Sequence, residues 1–169
     1  MRQPKTYYDL KNCKTRVAVF QGGTRSGKTF SIVTLLCEWC YRNQNAGYVL
    51  TIVRKSFPSL RASVMRDFLF ILDREGWYDE RNHNKTENTY SLFGNTWEFV
   101  SIDQPQKIRG AKRQFCFINE ANELDLESYR QLTLRTSHDL DAPSVILDYN
   151  PSDEYHWIYD EVIPRDDAS

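Results

Sequence analysis

The pattern of apolar and polar residues predicts strands that alternate with helices along most of the chain. Four short apolar runs are bounded by glycine, proline or polar residues, as buried strands are: 17–20, 49–53, 114–119 and 144–151. Between them, apolar residues recur three or four positions apart, as on a helix with one buried face, at 27–42, 58–75 and 123–137. A last short helix is predicted at 155–162.

A hairpin interrupts this alternation. Around the turn signal Gly94-Asn95, apolar residues alternate with polar ones, and those expected to face each other are Tyr90 and Leu92 with Trp97 and Phe99. Four buried strands separated by helices predict an α/β fold, with a mostly parallel central sheet covered by helices on both faces. The hairpin would be an antiparallel insertion at one edge of that sheet.

Length and charge narrow the class of protein. A chain of 169 residues suggests one domain, or a domain with a small appendage. It is divided here into an N-terminal arm or short entry helix (1–16), a core domain (17–163) and a tail (164–169). Hydrophobic residues make up 40% and charged residues 27%, as in soluble globular proteins, and no apolar run reaches the roughly 20 residues of a membrane span. Because the net charge is −1, contact with nucleic acid would need a local basic patch or another domain.

The cysteines have two interpretations. Cys37 and Cys40 form a C-x-x-C pair on one face of the second predicted helix, a spacing found in zinc and redox sites. The second pair of a zinc site is missing, and without an export signal the thiols are expected to be reduced. Packing in the core is therefore the favoured role for both.

A phosphate-binding loop is the clearest chemical signal. The segment GGTRSGKT fits G-x-x-x-x-G-K-[S/T] and consists of Gly22, Gly23, Thr24, Arg25, Ser26, Gly27, Lys28 and Thr29. The segment follows a predicted strand and precedes a predicted helix, as a phosphate-binding loop must. This context favours the motif over a chance glycine-rich turn. Backbone N–H groups would surround phosphate oxygens, Lys28 would neutralise the β- and γ-phosphates, and the Thr29 hydroxyl would ligate Mg²⁺. ATP and Mg²⁺ are the predicted cofactors.

A second set of polar residues ends the strand at 114–119. In P-loop ATPases the strand beside the phosphate loop usually ends in a carboxylate that braces Mg²⁺ through water, and here that position holds Asn119. Asn119 can accept a hydrogen bond from a Mg²⁺-bound water but adds no charge. Glu120 follows and suits activation of the attacking water, although it could also be a favourable residue at a helix entrance.

Chain order separates classes of P-loop protein. A strand at 49–53 lies between the phosphate loop and the strand that ends in Glu120, which favours the additional-strand, catalytic-glutamate (ASCE) ATPases over small-molecule kinases. Asn150 ends the next strand, where a polar side chain can sense the γ-phosphate, although an Asn-Pro pair is also a common turn. Candidates for contacts with the adenine base are Gln21, Tyr7 and Tyr8, although no motif spacing requires these residues.

The residues resemble a known family. The segments QGGTRSGKT, VRKSFPSLRASVMRDF, IDQPQKIRGAKRQFCFINEANEL and DYNPSDEYHWIYDEVI resemble, in order and spacing, the ATPase domain of the large terminase subunit of tailed bacteriophages. The resemblance implies that Glu120 is the catalytic glutamate and that Asn150 belongs to the coupling motif. It also implies that Arg25 is a phosphate-loop arginine and that Arg109 is an arginine finger supplied across a subunit boundary. A solvated charge or a DNA phosphate contact is the alternative for Arg109, because Lys107, Lys112 and Arg113 share its loop.

The resemblance also implies partners. These are double-stranded DNA, a portal protein, a small terminase subunit and a homo-oligomeric ring of five subunits, without a membrane, in the cytoplasm of an infected bacterium at the procapsid portal. The isolated chain is compatible with a monomer. The nuclease domain of the family is expected to be absent, either excised or carried by a separate chain, so this chain should not cut DNA. The alternatives are a helicase-like or other DNA-translocating ATPase, and a nucleotide-binding assembly module with little turnover.

Overall fold

The computed structural model describes residues 3–23, 27–110, 112–150 and 157–163. Within these ranges the strands are β1 (Val17–Gln21), β2 (Val49–Arg54), β3 (His83–Asn84), β4 (Thr89–Leu92), β5 (Asn95–Ser101), β6 (Phe115–Ile118) and β7 (Val145–Tyr149). The α-helices are α1 (Lys5–Asn12), α2 (Lys28–Arg42), α3 (Phe57–Leu60), α4 (Arg66–Glu75), α5 (Pro105–Ile108) and α6 (Leu126–Leu134).

Shorter helical turns join some of these elements. A π-helical turn, Arg61–Met65, connects α3 directly to α4, and another spans Ile158–Val162. Turns of 3₁₀ helix lie at Glu80–Asn82 and Ala121–Glu123. No helix within the described ranges combines the length and the apolar character that crossing a bilayer requires.

All the described strands belong to one sheet, in the order β1-β7-β6-β2-β5-β4-β3. The first five in this order run parallel to one another, whereas β4 and β3 are antiparallel additions at one edge. The predicted α/β fold with a mostly parallel sheet is therefore confirmed. The expectation that β6 lies beside the phosphate-loop strand is wrong, because β7 pairs with both β1 and β6 and separates them.

Hydrophobic layers cover both faces of the sheet. Side chains alternate between the faces along each central strand. Phe115, Phe117 and Ile146 pack with the residues of α1, α2 and α4 on one face. Cys116 and Leu147 belong to the layer on the opposite face, which also holds the buried residues of α6 and the turn Ile158–Val162. Such double coverage explains why the central strands read as continuous apolar runs.

Two predictions about individual segments have clear outcomes. Cys37 and Cys40 are fully buried and free, so the packing role is confirmed. Burial raises the pKa of the Cys40 thiol to about 12 and also raises that of Cys37, which makes both thiols unreactive. The segment predicted as an N-terminal arm contains α1, which packs against α2 through the buried residues Tyr7 and Leu10.

The hairpin differs from its prediction in register. Leu92 pairs with Asn95, so the two turn residues are Phe93 and Gly94, both at positive φ. Asn95 is instead buried, and its side-chain amide donates to the carbonyls of Cys40 and Asn43 at the end of α2. The sequence predicted that Asn95 would be a polar turn residue. Its amide instead donates to carbonyls at the end of α2, which have no hydrogen-bond partner within the helix. Strand β5 is also not an insertion, since it pairs in parallel with β2.

Gly94→Ala and Gly76→Ala form a matched pair that measures how tightly the hairpin packs. Both glycines are left-handed, at φ 76° and 73°, so each alanine carries the same backbone penalty of about 1 kcal/mol. A Cβ at Gly94 would lie 2.5 Å from Asn45 Oδ1 and 2.7 Å from its Cα, whereas one at Gly76 meets nothing within 4 Å. In urea unfolding, Gly94→Ala should lose about 2 kcal/mol or more and Gly76→Ala about 1 kcal/mol; equal losses would contradict this packing.

Candidate active site

A polar cavity of about 270 Å³ lies at the edge of the sheet where the parallel strands end. It is lined by the start of α2, the ends of β2, β6 and β7, and the helical segment after β2, through Gly27, Lys28, Thr29, Phe30, Arg54, Ser63, Arg66, Asp67, Asn119, Glu120 and Asp148. Ligands of open α/β sheets bind at this edge. A wider groove of about 390 Å³ lies against α1 and α2, and it contains none of the predicted site residues.

The phosphate loop joins β1 to α2, as predicted. Gly22 and Gly23 follow β1, and Gly27, at φ 73°, immediately precedes the first turn of α2. The Lys28 ammonium is buried and donates to the carbonyls of Gly22 at 2.8 Å and Gly23 at 3.0 Å. The predictions for Thr24, Arg25 and Ser26 lie outside the described residues.

The carboxylate of Asp148 connects the elements around the cavity. Asp148 lies on β7, and Thr29 of α2 donates its hydroxyl proton to Oδ2 at 3.0 Å. The Asn119 amide donates to both carboxylate oxygens, at 2.9 and 3.0 Å, and the backbone N–H of Glu120 donates to Oδ1 at 2.8 Å. The three residues that sequence analysis assigned to metal binding and catalysis therefore meet at a fourth that it missed.

Burial controls the charge of this carboxylate. Burial raises the pKa of Asp148 to about 6, and the nearby Glu120 charge adds to the rise. Hydrogen bonds from Glu120 N–H, Thr29 and Asn119 act in the opposite direction, because they stabilise the ionised form. The group is therefore mainly ionised at neutral pH, although it is almost completely buried.

A signal for Asp148 was present in the sequence. Within β7 it is the only charged side chain in a strand that is otherwise apolar or aromatic and buried throughout. A charge in such a strand needs partners, since burying an unpaired charge is costly. Without the strand order this pattern does not identify a partner for Asp148, and the prediction for the same run concerned Asn150 at its end.

Glu120 has a strained backbone. It follows Asn119 just beyond the end of β6, lines the cavity, and adopts a left-handed conformation with φ 52° and ψ 56°. A non-glycine residue in this region costs of order 1–3 kcal/mol, and such residues cluster at active sites. The conformation places the Glu120 N–H against Asp148, beside the cavity that Lys28 and Thr29 also line.

The residues around Thr29 fit a magnesium ion. A hydroxyl, a carboxylate and an amide from Thr29, Asp148 and Asn119 lie within hydrogen-bond distance of one another. Oxygen groups of this kind suit Mg²⁺, which usually takes one or two carboxylates together with phosphate oxygens and waters.

A family model now adds to this geometry. The model for the phage terminase large subunit matches residues 14–169. The chain belongs to this family. A comparison with curated protein sequences gives no match.

Solved terminase structures have the same fold. The large terminase from a thermophilic bacteriophage superposes with a TM-score of 0.82 at 18% identity, over 99% of this chain and 44% of that chain. The complex of that terminase with ADP gives 0.75 at 21% identity, over 98% and 43%. The Thermus phage P74-26 large terminase ATPase domain gives 0.63 at 13% identity, over 94% and 68%. This chain thus spans less than half the length of the first of these terminases, and at these identities the likeness establishes the fold.

Arg54 and its partner Ser63 form one wall of the cavity. Arg54 ends β2, and its guanidinium donates to Ser63 Oγ at 2.9 Å and pairs with Glu123 at 3.2 Å. Ser63, in the π-helical turn, contacts Asn119 Oδ1 at 3.3 Å. Arg54 was not among the predicted site residues, because a charged residue at a strand end is a weak signal without its neighbours.

The remaining predicted residues within the described ranges do not line the cavity. Asn150 follows β7 directly and has no hydrogen bond with another described side chain or backbone group. Gln21 ends β1, and its amide oxygen accepts a hydrogen bond from the Tyr149 hydroxyl at 3.2 Å. Tyr7 is buried and donates its hydroxyl to Glu38 of α2, so it does not line the cavity; Tyr8 is exposed.

The basic loop does not behave as one surface. Arg109, just after α5, is exposed, and its side chain forms no hydrogen bond or ion pair with the described residues. Arg113, expected in the same solvated loop, is completely buried. Its guanidinium donates to the carbonyls of Lys107, Ile108 and Leu132, which ties the Arg109 loop to the end of α6. The carbonyls of α5 and α6 face the same buried space, and the guanidinium of Arg113 has enough N–H groups to donate to both helices.

Arg113→Met tests this anchoring role. The variant removes a buried guanidinium that donates to the carbonyls of Lys107, Ile108 and Leu132, so the free energy of unfolding should fall by about 2 kcal/mol or more. The exposed neighbour Lys112 provides the control, and Lys112→Met should change stability by less than about 0.5 kcal/mol. Chemical denaturation of both variants measures the difference; similar small effects would refute an anchoring role.

Proposed function

We propose that this chain is the ATP-hydrolysing motor domain of a phage terminase large subunit and drives DNA translocation into the procapsid. One observation carries the proposal: Lys28, Thr29 and Glu120 line a single cavity at the carboxyl edge of the sheet. They are the phosphate-binding, metal-binding and water-activating residues that an ATPase needs. Membership of the terminase family supplies the biological setting.

The phosphate loop binds the ATP phosphates in this proposal. The first turn of α2 directs its N-terminal backbone N–H groups towards the loop, an arrangement that attracts anions. Lys28 exchanges its contacts with the carbonyls of Gly22 and Gly23 for the β- and γ-phosphate oxygens. The thermophilic bacteriophage terminase, which has the same fold, has been solved with ADP and with ATP-gamma-S.

Glu120 activates the attacking water. Its carboxylate polarises a water for in-line attack on the γ-phosphate and accepts the proton. Magnesium, once bound with the nucleotide, neutralises charge that develops on the phosphate oxygens. Thr29 would ligate that ion, and Asn119 would accept a hydrogen bond from one of its waters. Asn150, at the end of β7, reads the presence of the γ-phosphate and passes its loss to the rest of the motor.

Arginines complete the site. Arg25 lies in the phosphate loop and contacts the nucleotide or a neighbouring subunit. Arg109 acts as a finger for the next subunit of the ring, which agrees with its exposure and with its absence from the cavity of its own chain. A finger supplied in this way stabilises charge in the transition state of the neighbour's reaction.

The proposed assembly is a ring of five subunits on double-stranded DNA. It docks on the portal protein of the procapsid, receives DNA with the help of the small terminase subunit, and works in the cytoplasm of the infected bacterium. Phi-28 gp11, described as a DNA packaging motor, shares the fold with a TM-score of 0.57 at 11% identity. Nuclease activity is not part of the function proposed for this chain.

Glu120→Gln separates binding from hydrolysis. The amide keeps the size of the side chain but cannot take a proton from water, so ATP hydrolysis should fall about 10²-fold or more while nucleotide affinity stays within a few-fold. Glu75→Gln, at the exposed end of α4, is the matched control and should hydrolyse ATP like the parent. Phosphate release is followed over a range of protein concentrations. Normal turnover by Glu120→Gln would remove this glutamate from catalysis, and a parent without any turnover would favour an assembly module.

Mixed rings test the arginine finger. Arg109→Ala leaves a subunit with an intact cavity and no finger, whereas Lys28→Ala leaves a finger without a working phosphate loop. Each variant alone should lose about 10³-fold or more in ATPase rate. Mixing them should restore part of the activity, because an Arg109→Ala site then faces the Arg109 of a Lys28→Ala neighbour. Rates that stay at the sum of the two variants would show that Arg109 does not act between subunits.

A further inference from the structure

The site lacks a charge where P-loop ATPases usually have one. Mg²⁺ in such sites is held between a phosphate-loop hydroxyl and a carboxylate on a nearby strand. The end of β6 offers Asn119 at that place, and an amide brings no negative charge. Glu120 does not fill the gap, since it is the proposed base and its side chain has no hydrogen bond to Thr29. A carboxylate beside Thr29 must come from another strand.

Strand order brings that carboxylate from β7. Because β7 lies between β1 and β6, its carboxyl end is closer to the phosphate loop than the end of β6 is. Asp148 shares a face of the sheet with Ile146, the face that α2 covers, and its Oδ2 lies 3.0 Å from the Thr29 hydroxyl. The Thr29 hydroxyl donates its proton to this carboxylate and accepts from Asn119 Nδ2 at 3.3 Å, which leaves one lone pair for a cation.

The hydrogen bonds of Asp148 leave its charge available. Within the described residues, the groups that donate to it are the Thr29 hydroxyl, the Asn119 amide and the Glu120 N–H, all of them uncharged. None of the ion pairs among these residues includes Asp148. A buried carboxylate that is hydrogen-bonded but not paired with a cation is a ready partner for a bound metal ion.

The same contacts explain the amide at position 119. Asn119 Nδ2 lies 2.9 and 3.0 Å from the two oxygens of Asp148. An aspartate at position 119 would place two carboxylates at this distance, where like charges resist joint ionisation. Asn119 therefore orients Asp148, and its own Oδ1 accepts from Ser63. The two positions form a complementary pair, with one charge between them.

We propose that Asp148 supplies the negative charge that braces Mg²⁺ in the nucleotide site, and that Asn119 is the positioning residue that aims it. Compared with the usual P-loop ATPase site, the negative charge lies at the end of β7 instead of at the end of the neighbouring strand β6. This inference rests on the proposed nucleotide-binding function, because it concerns the ion that accompanies ATP. It assigns to Asp148 a metal-binding role that the phosphate-loop pattern alone does not give.

Metal affinity provides the test. Mn²⁺ replaces Mg²⁺ as a spectroscopic probe, and its binding is measured by electron paramagnetic resonance in the presence of a non-hydrolysable ATP analogue. Asp148→Asn should weaken Mn²⁺ binding about 10- to 100-fold, the range observed when groups that support a metal site are lost. Binding of the analogue in EDTA, followed by calorimetry, should change by less than about threefold, because the phosphate loop is untouched.

Two further variants sharpen the result. Asp67→Asn removes a carboxylate from the wall of the same cavity without touching Thr29, and it should leave Mn²⁺ affinity nearly unchanged. The double variant Asn119→Asp/Asp148→Asn returns the charge to the end of β6 and should recover most of the lost affinity. Equal losses in Asp67→Asn and Asp148→Asn would overturn the assignment, because they would reflect only the total charge of the cavity.

The outcomes separate a failure of the role proposed for Asp148 from a failure of the proposed nucleotide-binding function. If the parent protein binds no analogue with or without metal, the proposed function fails. If the parent binds both and Asp148→Asn binds Mn²⁺ equally well, only the role of Asp148 fails. Circular dichroism checks that each variant is folded. Should Asp148→Asn not fold, the double variant decides: affinity near that of the parent supports an exchangeable charge, and a lasting loss contradicts it.

Discussion

A single buried carboxylate organises the active edge of this domain. Asp148 accepts hydrogen bonds from the first turn of α2, from the end of β6 and from the backbone of Glu120. The side chain of Asp148 is almost completely buried. Position 29 is far in the chain from positions 119 and 120, yet all three residues donate to the same carboxylate. Their common acceptor fixes the phosphate-loop helix relative to the proposed base. The left-handed backbone of Glu120 is held in the same way, since its N–H points at Asp148.

The strand order makes this arrangement possible. With β7 placed between β1 and β6, three consecutive strands deliver a phosphate loop, a carboxylate and the proposed catalytic glutamate to adjacent points of one edge. Alternation along the strands then decides which side chains face α2. These are Ile146 and Asp148 on β7, Phe117 on β6 and Asn119 just beyond the end of β6. A one-residue slip in either strand would turn the polar group towards the opposite layer, so the site depends on the pairing register.

Local patterns made much of this structure predictable. Periodicity and turn residues act within a few positions of the chain. They were therefore enough to predict the four apolar strands, the helices between them and the phosphate loop. The family match supports the resemblance seen in four segments. Features that depend on distant partners were not accessible. Gly94-Asn95 looked like a turn, but Asn95 satisfies the end of α2, and Arg113 looked solvated although carbonyls from two segments surround it. Asp148 was missed for the same reason, since its partners depend on strand order.

Arg113 extends the same logic beyond the cavity. A buried guanidinium that has no carboxylate partner among the described residues is costly unless several acceptors share it. Here the carbonyls of Lys107 and Ile108, which immediately precede Arg109, and of Leu132, near the end of α6, provide them. The helix α6 itself begins shortly after Glu120, beyond the turn Ala121–Glu123. The exposed Arg109 and the cavity residue Glu120 are therefore attached to opposite ends of one helix. A neutral residue at position 113 would remove this attachment without changing any residue that lines the cavity.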